Sequence, residues 1–403
     1  MPTRSRVCAW IAAVALLAPS VAAGQGRTER EIVELIVREG PQARAIRAES
    51  EVTRREQGAR LSYPNPSVTY SREGAGFAEF FQAEQSLSFF GAREALSRAG
   101  VAATSAAEAE RDMRLWLLRS DATAAVARVV AEQERLESLR AHMSEVERLI
   151  EILRTREREG EGSRFDRLRA EQELRDTNQV VTSAAVALAH ARAAVSGMLP
   201  QNASLTTVAS PQVTPQPAVP IETLFIRATS TRAELRALEQ LGQRATFEAE
   251  AARRSRLPSP TLFGGVKRAD EVSGRTTGGV FGVTVALPLF DNGNREAARW
   301  EAEGSRVQAE RIFIEGRIRS EIIAAAEVLT LRQAALSEEP QGTAEELVRI
   351  AVVAYREGEI GILELLDAAR TASRARTRSI DLRLDTRLAQ IALERAVGDT
   401  LWP

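Results

Sequence analysis

Apolar positions along this chain recur at two periods. From Gly91 to Glu157 they recur at helical spacing, with no proline and with Gly100 as the one glycine inside the run. About 65 residues rising about 1.5 Å each predict a helix of roughly 100 Å, longer than a compact globule of this size contains. Glu157–Gly197 turns at Arg158-Glu159-Gly160-Glu161-Gly162 and continues as a descending helix carrying Phe165, Leu168 and Leu174. Tyr355–Gly398 does the same, with a turn at Gly358 and a second helix on which Ile362, Leu365, Leu366 and Ala369 share a face. The two turns share Arg-Glu-Gly-Glu, at Arg158–Glu161 and Arg356–Glu359. The other period is two. In Glu79–Phe90, Phe81, Ala83, Leu87 and Phe89 alternate with Gln82, Glu84, Ser86 and Ser88. In Gly279–Phe290, Phe281, Val283, Val285, Leu287 and Leu289 alternate with Gly282, Thr284 and Ala286. Both read as strands with one apolar and one polar face.

Taken in order, the elements form a duplication. Residues 24–199 read as a first repeat: a helix over Thr28–Gly58 broken at Gly40-Pro41, a strand pair at 64–90, a long helix at 91–157 and a helix at 163–197. Pro200–Pro220 is a proline-rich linker. Residues 221–403 read as the second repeat: a helix over Ile221–Arg256, a strand pair at 260–290, a long helix at 291–356 interrupted at Pro340-Gln341-Gly342, and a helix at 361–397. A repeat of this order at about 200 residues implies a pseudo-symmetric protomer.

Composition narrows the class. Aromatics are 5 % and charged residues 27 %, a mix that belongs to long helices and coiled coils. The net charge of −1 gives a nucleic-acid partner no electrostatic support. Met1–Ala23 reads as a secretory signal peptide: basic Arg4 and Arg6, an apolar Ala9–Ala18, and Val21-Ala22-Ala23 before the cut. A membrane anchor would need about 20 apolar residues. The one cysteine, Cys8, lies in that segment, so the mature chain is expected to have no disulfide and no thiol chemistry. His142 and His190 sit on separate helices, and no Cys pair, nucleophile elbow or phosphate-binding loop is present. An enzyme, a cofactor and a metal centre are therefore not expected.

The aromatics cluster with the strands. Ten of the 19 lie in Leu61–Ala92 and Pro258–Asn292, among them Tyr70, Phe81, Phe89, Phe263, Phe281 and Phe290. In an exported chain this fits the interfacial girdles of a membrane β-barrel. An ordinary half-buried sheet is the alternative, but hundred-residue helical excursions leave it no other core. Four strands cannot close a barrel, and lipid tolerates no open sheet edge. Several copies would have to contribute to one barrel.

With these features in hand, the chain resembles the TolC-like outer-membrane efflux proteins over essentially its whole mature length. The resemblance rests on the duplicated half and on the Pro-x-Pro before each first strand. It rests also on the strand exits Leu87–Glu94 and Leu287–Glu296, and on Tyr355…Gly358…Leu365-Leu366-Asp367-Ala368. It implies a mixed membrane protein: a homotrimer whose protomers each give four strands to a 12-stranded barrel and helices to a periplasmic tunnel about 100 Å long. It implies an outer-membrane location, a periplasmic adaptor, and an inner-membrane pump of RND or ABC type that supplies the energy.

Carboxylates are the candidate determinants of passage. Glu364 and Asp367 are three apart on one helix face, so three copies would stack two acidic rings. The resemblance places the constriction at these two residues. It places a lock at Asp166, whose usual basic partner is replaced here by Ile360, leaving Arg164 or Arg356 to substitute. Gly160, Glu161, Gly358 and Glu359 form the turns that would meet the adaptor, although Gly160 and Gly358 also serve as plain helix caps. The alternative function is a periplasmic coiled-coil scaffold without a channel.

Overall fold

The computed structural model describes residues 27–74, 78–87, 91–205, 207–209, 214–271, 274–340 and 342–402. The expected leader and Phe77, Phe89 and Phe90 lie outside the described residues. Helix α1 (Glu29–Glu39) begins in a capping box: Thr28 Oγ1 accepts from Glu31 N, and Glu31 accepts from Thr28 N at 2.9 Å. Pro41 cannot continue α1 and instead opens α2 (Pro41–Arg60). Strands β1 (Ser67–Glu73) and β2 (Ala78–Ser86) follow, then α3 (Ala92–Arg158) and α4 (Arg164–Ser196). At about 1.5 Å per residue, the 67 residues of α3 span about 100 Å. After residues 200–220 come α5 (Ile221–Thr231), α6 (Ala233–Arg254), β3 (Pro260–Glu271), β4 (Gly274–Val285), α7 (Asn294–Ser337), α8 (Thr343–Arg356) and α9 (Ile362–Val397). The mixed fold of long helices and four strands is the one expected from the two hydrophobic periods.

Three local expectations are corrected. Ile221–Arg256 is two helices, because Arg232 is extended (ψ 110) with its buried guanidinium bonded to Glu321 at 2.5 Å. Thr231 Oγ1 donates to Val397 O at 3.0 Å and fixes the break against the end of α9. The last strand stops at Val285: Pro288 has no N–H to continue a ladder, and Leu289 N turns back onto Leu287 O. The segment 200–220 is more than a spacer. Its Val208 is buried, and Gln133 on α3 holds that residue's backbone by both amide atoms, at 3.1 and 3.4 Å. Gln333 on α7, with its amide turned to face both partners, holds Gln216 the same way at 3.2 and 2.9 Å. The two glutamines are 200 residues apart and sit at matching places in the repeat.

The four strands form one antiparallel sheet in sequence order, with β1 and β4 at its edges. Register sorts the side chains. Val68, Tyr70, Phe81, Leu262, Val266, Phe281, Val283 and Val285 fall on one face, and every one of them is exposed. The other face carries Ser67, Thr69, Gln82, Glu84, Thr261 and Lys267. Along β3 the residues of the apolar face are exposed and those of the polar face are half-shielded, so the sheet curves around its polar side. Beyond the apolar rows lie Arg72, Glu79, Arg268 and the Arg275–Asp270 ion pair at 3.0 Å.

Helical packing is divided among three apolar clusters. One joins α1–α4 around Ile32, Val126, Val129 and Leu188. A second joins α5–α7 and α9 around Leu224, Ile318, Ile322 and Leu393. The third lies at the hairpin tips. Ion pairs from α9 brace the halves together: Arg383–Glu134 at 2.7 Å, Arg387–Glu29 at 2.5 Å and Arg395–Asp121 at 2.7 Å.

Two adjacent glycines in β3 test the sheet geometry. A Cβ on Gly265 would lie 2.1 Å from Phe81 O, whereas one on Gly264 meets nothing within 4 Å. Gly265→Val is expected to abolish the folded species in thermal unfolding and size-exclusion measurements, and Gly264→Val to retain it.

Candidate channel entrance at the hairpin tips

Both helical hairpins turn by the same backbone device. After α3, Gly160 takes φ 79; Glu161 N donates to Arg156 O at 2.9 Å and Gly160 N to Glu157 O at 3.2 Å. After α8, Gly358 takes φ 77; Glu359 N donates to Ala354 O at 2.9 Å and Gly358 N to Tyr355 O at 3.2 Å. These are paired Schellman ends, which satisfy carbonyls left free by each helix and require a left-handed residue that only glycine adopts cheaply. The next helices restart differently. Ser163 Oγ caps α4 by accepting from Phe165 N at 3.1 Å. Gly361 offers no side chain to α9, and the Glu364 carboxylate folds back beside it, with Oε2 2.9 Å from where a Gly361 Cβ would sit. A carboxylate there complements the positive end of the helix.

The two tips pack on each other through Ile150, Leu153, Ala170, Ile362, Leu365 and Leu366. This core fixes which side chains remain outside. Glu159, Glu161, Glu357, Glu359, Glu364 and Asp367 are all exposed. Among the described residues none of these six has an ion-pair or side-chain hydrogen-bond partner. Carboxylates immediately up the shaft behave differently. Arg167 bonds Glu157 at 2.6 Å and Glu171 at 2.9 Å, and these bonds, with Arg154, hold the Glu171 carboxyl below the usual range. The tip thus presents six exposed carboxylates without a direct partner among the described residues, Asp367 feeling the charge of Arg370, mounted on an ion-paired stem.

Asp166 lies apart from Glu364 and Asp367 in role. It is half-buried on α4 and close enough to Tyr355 on α8 for its charge to act on the phenol. Burial raises the Tyr355 pKa above its ordinary value; Asp166 adds to the rise, and Arg156 opposes it. The Arg156 guanidinium sits 5.7 Å from the Tyr355 ring centroid. Neither Arg164 nor Arg356, the expected substitutes, fills the partner's place; both are exposed. Arg156 shares this tyrosine because it is one turn before the Schellman end and faces the α8 side. Ile360 is partly buried against the tip core.

The aromatic candidates divide. Tyr70 and Phe81 are register partners on the apolar face, and Phe281 shares it at 89 % exposure. Phe290 is fully exposed just past β4. Phe263 is a correction: register puts it on the polar face, where its ring covers Gly282, and a Cβ on that glycine would be 2.4 Å from the ring. The sequence gives one overlooked signal here, a Gly-rich β4 that leaves room for a ring from its neighbour. No helix among the described residues is long and apolar enough to cross a membrane, and no His, Cys, Asp and Glu cluster among them could hold a metal.

Replacing Asp166 by Asn removes one of the two influences that raise Tyr355. Ultraviolet titration is expected to show the Tyr355 pKa moving down toward the ordinary phenol value.

Residues 225–399 match the model of the outer membrane efflux protein family. No curated protein matches the chain in sequence. The fold matches solved channels closely. The open state of the Neisseria gonorrhoeae MtrE outer membrane channel aligns with a TM-score of 0.73 at 21 % identity, covering 93 % of this chain and 89 % of that one. The Campylobacter jejuni CmeC outer membrane channel aligns at 0.71 and 12 % identity, over 93 % and 87 %. The transmembrane channel CusC aligns at 0.72 and 17 % identity, over 94 % and 96 %. Residues 225–399 are thus similar to the outer membrane efflux protein family, and the chain as a whole has the fold of these solved channels.

Proposed function

We propose that this chain is the passive exit duct of a tripartite efflux system. It is set in an outer membrane with a large periplasmic part. The observation that carries the reading is the sheet: eight exposed apolar side chains on one face, a largely polar opposite face, and two edges unpaired among the described residues, all mounted on a helical body whose longest helix is about 100 Å. Hydrocarbon leaves no open edge stable. A homotrimer resolves this by pairing β4 of one copy with β1 of the next, which gives twelve strands around a polar lumen. The seven residues from Gly279 to Val285 then form an apolar band of about 20 Å along the strand. Tyr70, Phe81 and Phe281 face lipid in this arrangement, and Phe290 lies at the helix-side boundary.

The helices continue as a tunnel whose far end is the acidic tip. Glu364 and Asp367 from three copies form the constriction, and six close carboxylates favour cations. Asp166, Tyr355 and Arg156 tie α4 to α8 behind that ring. The turns at Gly160, Glu161, Gly358 and Glu359 are the contact with a periplasmic adaptor. An inner-membrane pump of RND or ABC type supplies the energy.

In planar bilayers the wild-type protein is expected to form cation-selective channels. A variant with Glu364→Ala and Asp367→Ala should lose much of that selectivity while still conducting. Unchanged selectivity would remove these two residues from the constriction.

A further inference from the structure

Fully buried apolar residues do not run continuously from the shaft into the tip. On α3 they pass from Leu139 in one cluster to Val146 in the next, with partly buried Met143 between; on α4, from Val181 to Ala170, with partly buried Leu174 between. The fully buried positions of these two stretches are polar. His142, Glu173, Thr177 and Ser373 are four of the nine buried polar residues among those described, so this belt is where the interior departs most from hydrocarbon. The same residues line a cleft of about 530 Å³ between α4 and α9, floored by α3. Water has a route to the belt through that cleft.

The charged groups around His142 come from α3, α4 and α9, and most of them are paired. From α4, Glu173 is held by Arg370 of α9, with Nε 2.8 Å from Oε1 and a second nitrogen on Oε2. Asp176 accepts from Gln172 at 3.0 Å. From α9, Arg376 bonds Glu345 of α8 at 3.1 Å and lies 3.9 Å from Glu145 of α3; Asp381 is taken by Arg135 of α3. Arg374 and Arg378 of α9 line the open mouth. His142 has a side chain only 6 % exposed, and its Nδ1 has no hydrogen-bond partner; the closest carboxylate, Glu145, is 3.9 Å away.

We propose that His142 is a proton-operated pivot between the tunnel shaft and its entrance: a proton taken up there loosens the belt and unseats the α3/α4 and α8/α9 tips from one another. This rests on the entrance reading above. The neutral ring fits the closed belt. An imidazolium does not, because it must either be hydrated through the cleft or draw Glu145 or Glu173 from their arginines. Glu173 cannot serve both cations without releasing Arg370, which is the bond between α4 and α9.

The sign follows from the linkage. Burial holds the His142 pKa below its ordinary value of 6.5, against the pull of Glu145 and Glu173 and with the help of Arg376 and Arg370. A depressed histidine stabilises the closed belt above its open-state pKa and loses that stabilisation as pH falls. Acid therefore opens the joint, over a window that begins near pH 6.5.

The test uses the full-length protein in detergent or lipid. Carbon-13 NMR of labelled histidines follows His142 against the exposed His190 in the same chain. Hydrogen exchange is compared between wild type and His142→Gln at matched pH, which cancels the intrinsic pH dependence of exchange. His142 should titrate below its ordinary value of 6.5. Wild-type exchange at residues 146–170 and 351–368 should rise relative to the variant by up to about tenfold per pH unit below 6.5, with residues 115–136 unaffected. His142→Asn serves if the glutamine variant does not fold. A His142 that titrates at or above its ordinary value, or tip exchange identical in wild type and variant, would overturn the pivot. A chain that never conducts yet shows the His142-dependent exchange would overturn the duct and leave the pivot standing.

Discussion

The structure turns on unsatisfied backbone at the two edges of one sheet. β1 and β4 are the edge strands, and no strand among the described residues pairs with their outer sides. In water such an edge is tolerable, but the same sheet also exposes a face of valine, leucine and aromatic side chains that water does not favour. Placing that face in lipid removes the second problem and sharpens the first, since each unpaired group in hydrocarbon costs several kcal/mol. Identical neighbours solve both at once. In the trimer the polar face then encloses the lumen without any further element, and the long helices leave the sheet from the opposite end to the Arg275–Asp270 pair.

The helices meet a different constraint. A rod of 67 residues has little interior, so its larger apolar side chains gather in three separate clusters, and small alanines such as Ala99, Ala106, Ala245 and Ala249 fill the buried positions elsewhere. Between and around them the halves are joined by arginine–carboxylate pairs, several partly buried and bidentate. Exposed pairs of this kind each add little. Their value here is register: α9 is tied to α1, α3, α4 and α7 at staggered heights, which fixes its slide along the rod. The tip breaks the pattern by leaving six carboxylates unpaired, and that contrast singles it out more than any one residue does.

Much of this was legible in the sequence because it depends on local periodicity. The helical spacing in 91–157, the alternation around Phe81 and Phe281, and the repeated Arg-Glu-Gly-Glu each reflect a backbone rule that acts within a few residues. The misses come from long-range contacts. The break at Arg232 has no glycine or proline to mark it; it exists because Glu321 and Val397, distant in sequence, bond the two residues at the joint. Phe263 shows the right residue type on the wrong face, since a single strand cannot reveal which side its neighbour's glycines leave open. The linker looked unstructured because its partners are glutamine side chains, not a strand. His142 showed no sign of a role because helical spacing alone does not reveal that α4 and α9 both close over it.

The claim that decides the account is that the sheet is sealed only by copies of itself. Its most direct test is the mass of the purified particle, corrected for bound detergent, by light scattering or native mass spectrometry. Three chains of at most 44.0 kDa each, moving as one unit, is the predicted result. A stable single chain, with β1 and β4 protected from hydrogen exchange without any neighbour, would contradict it.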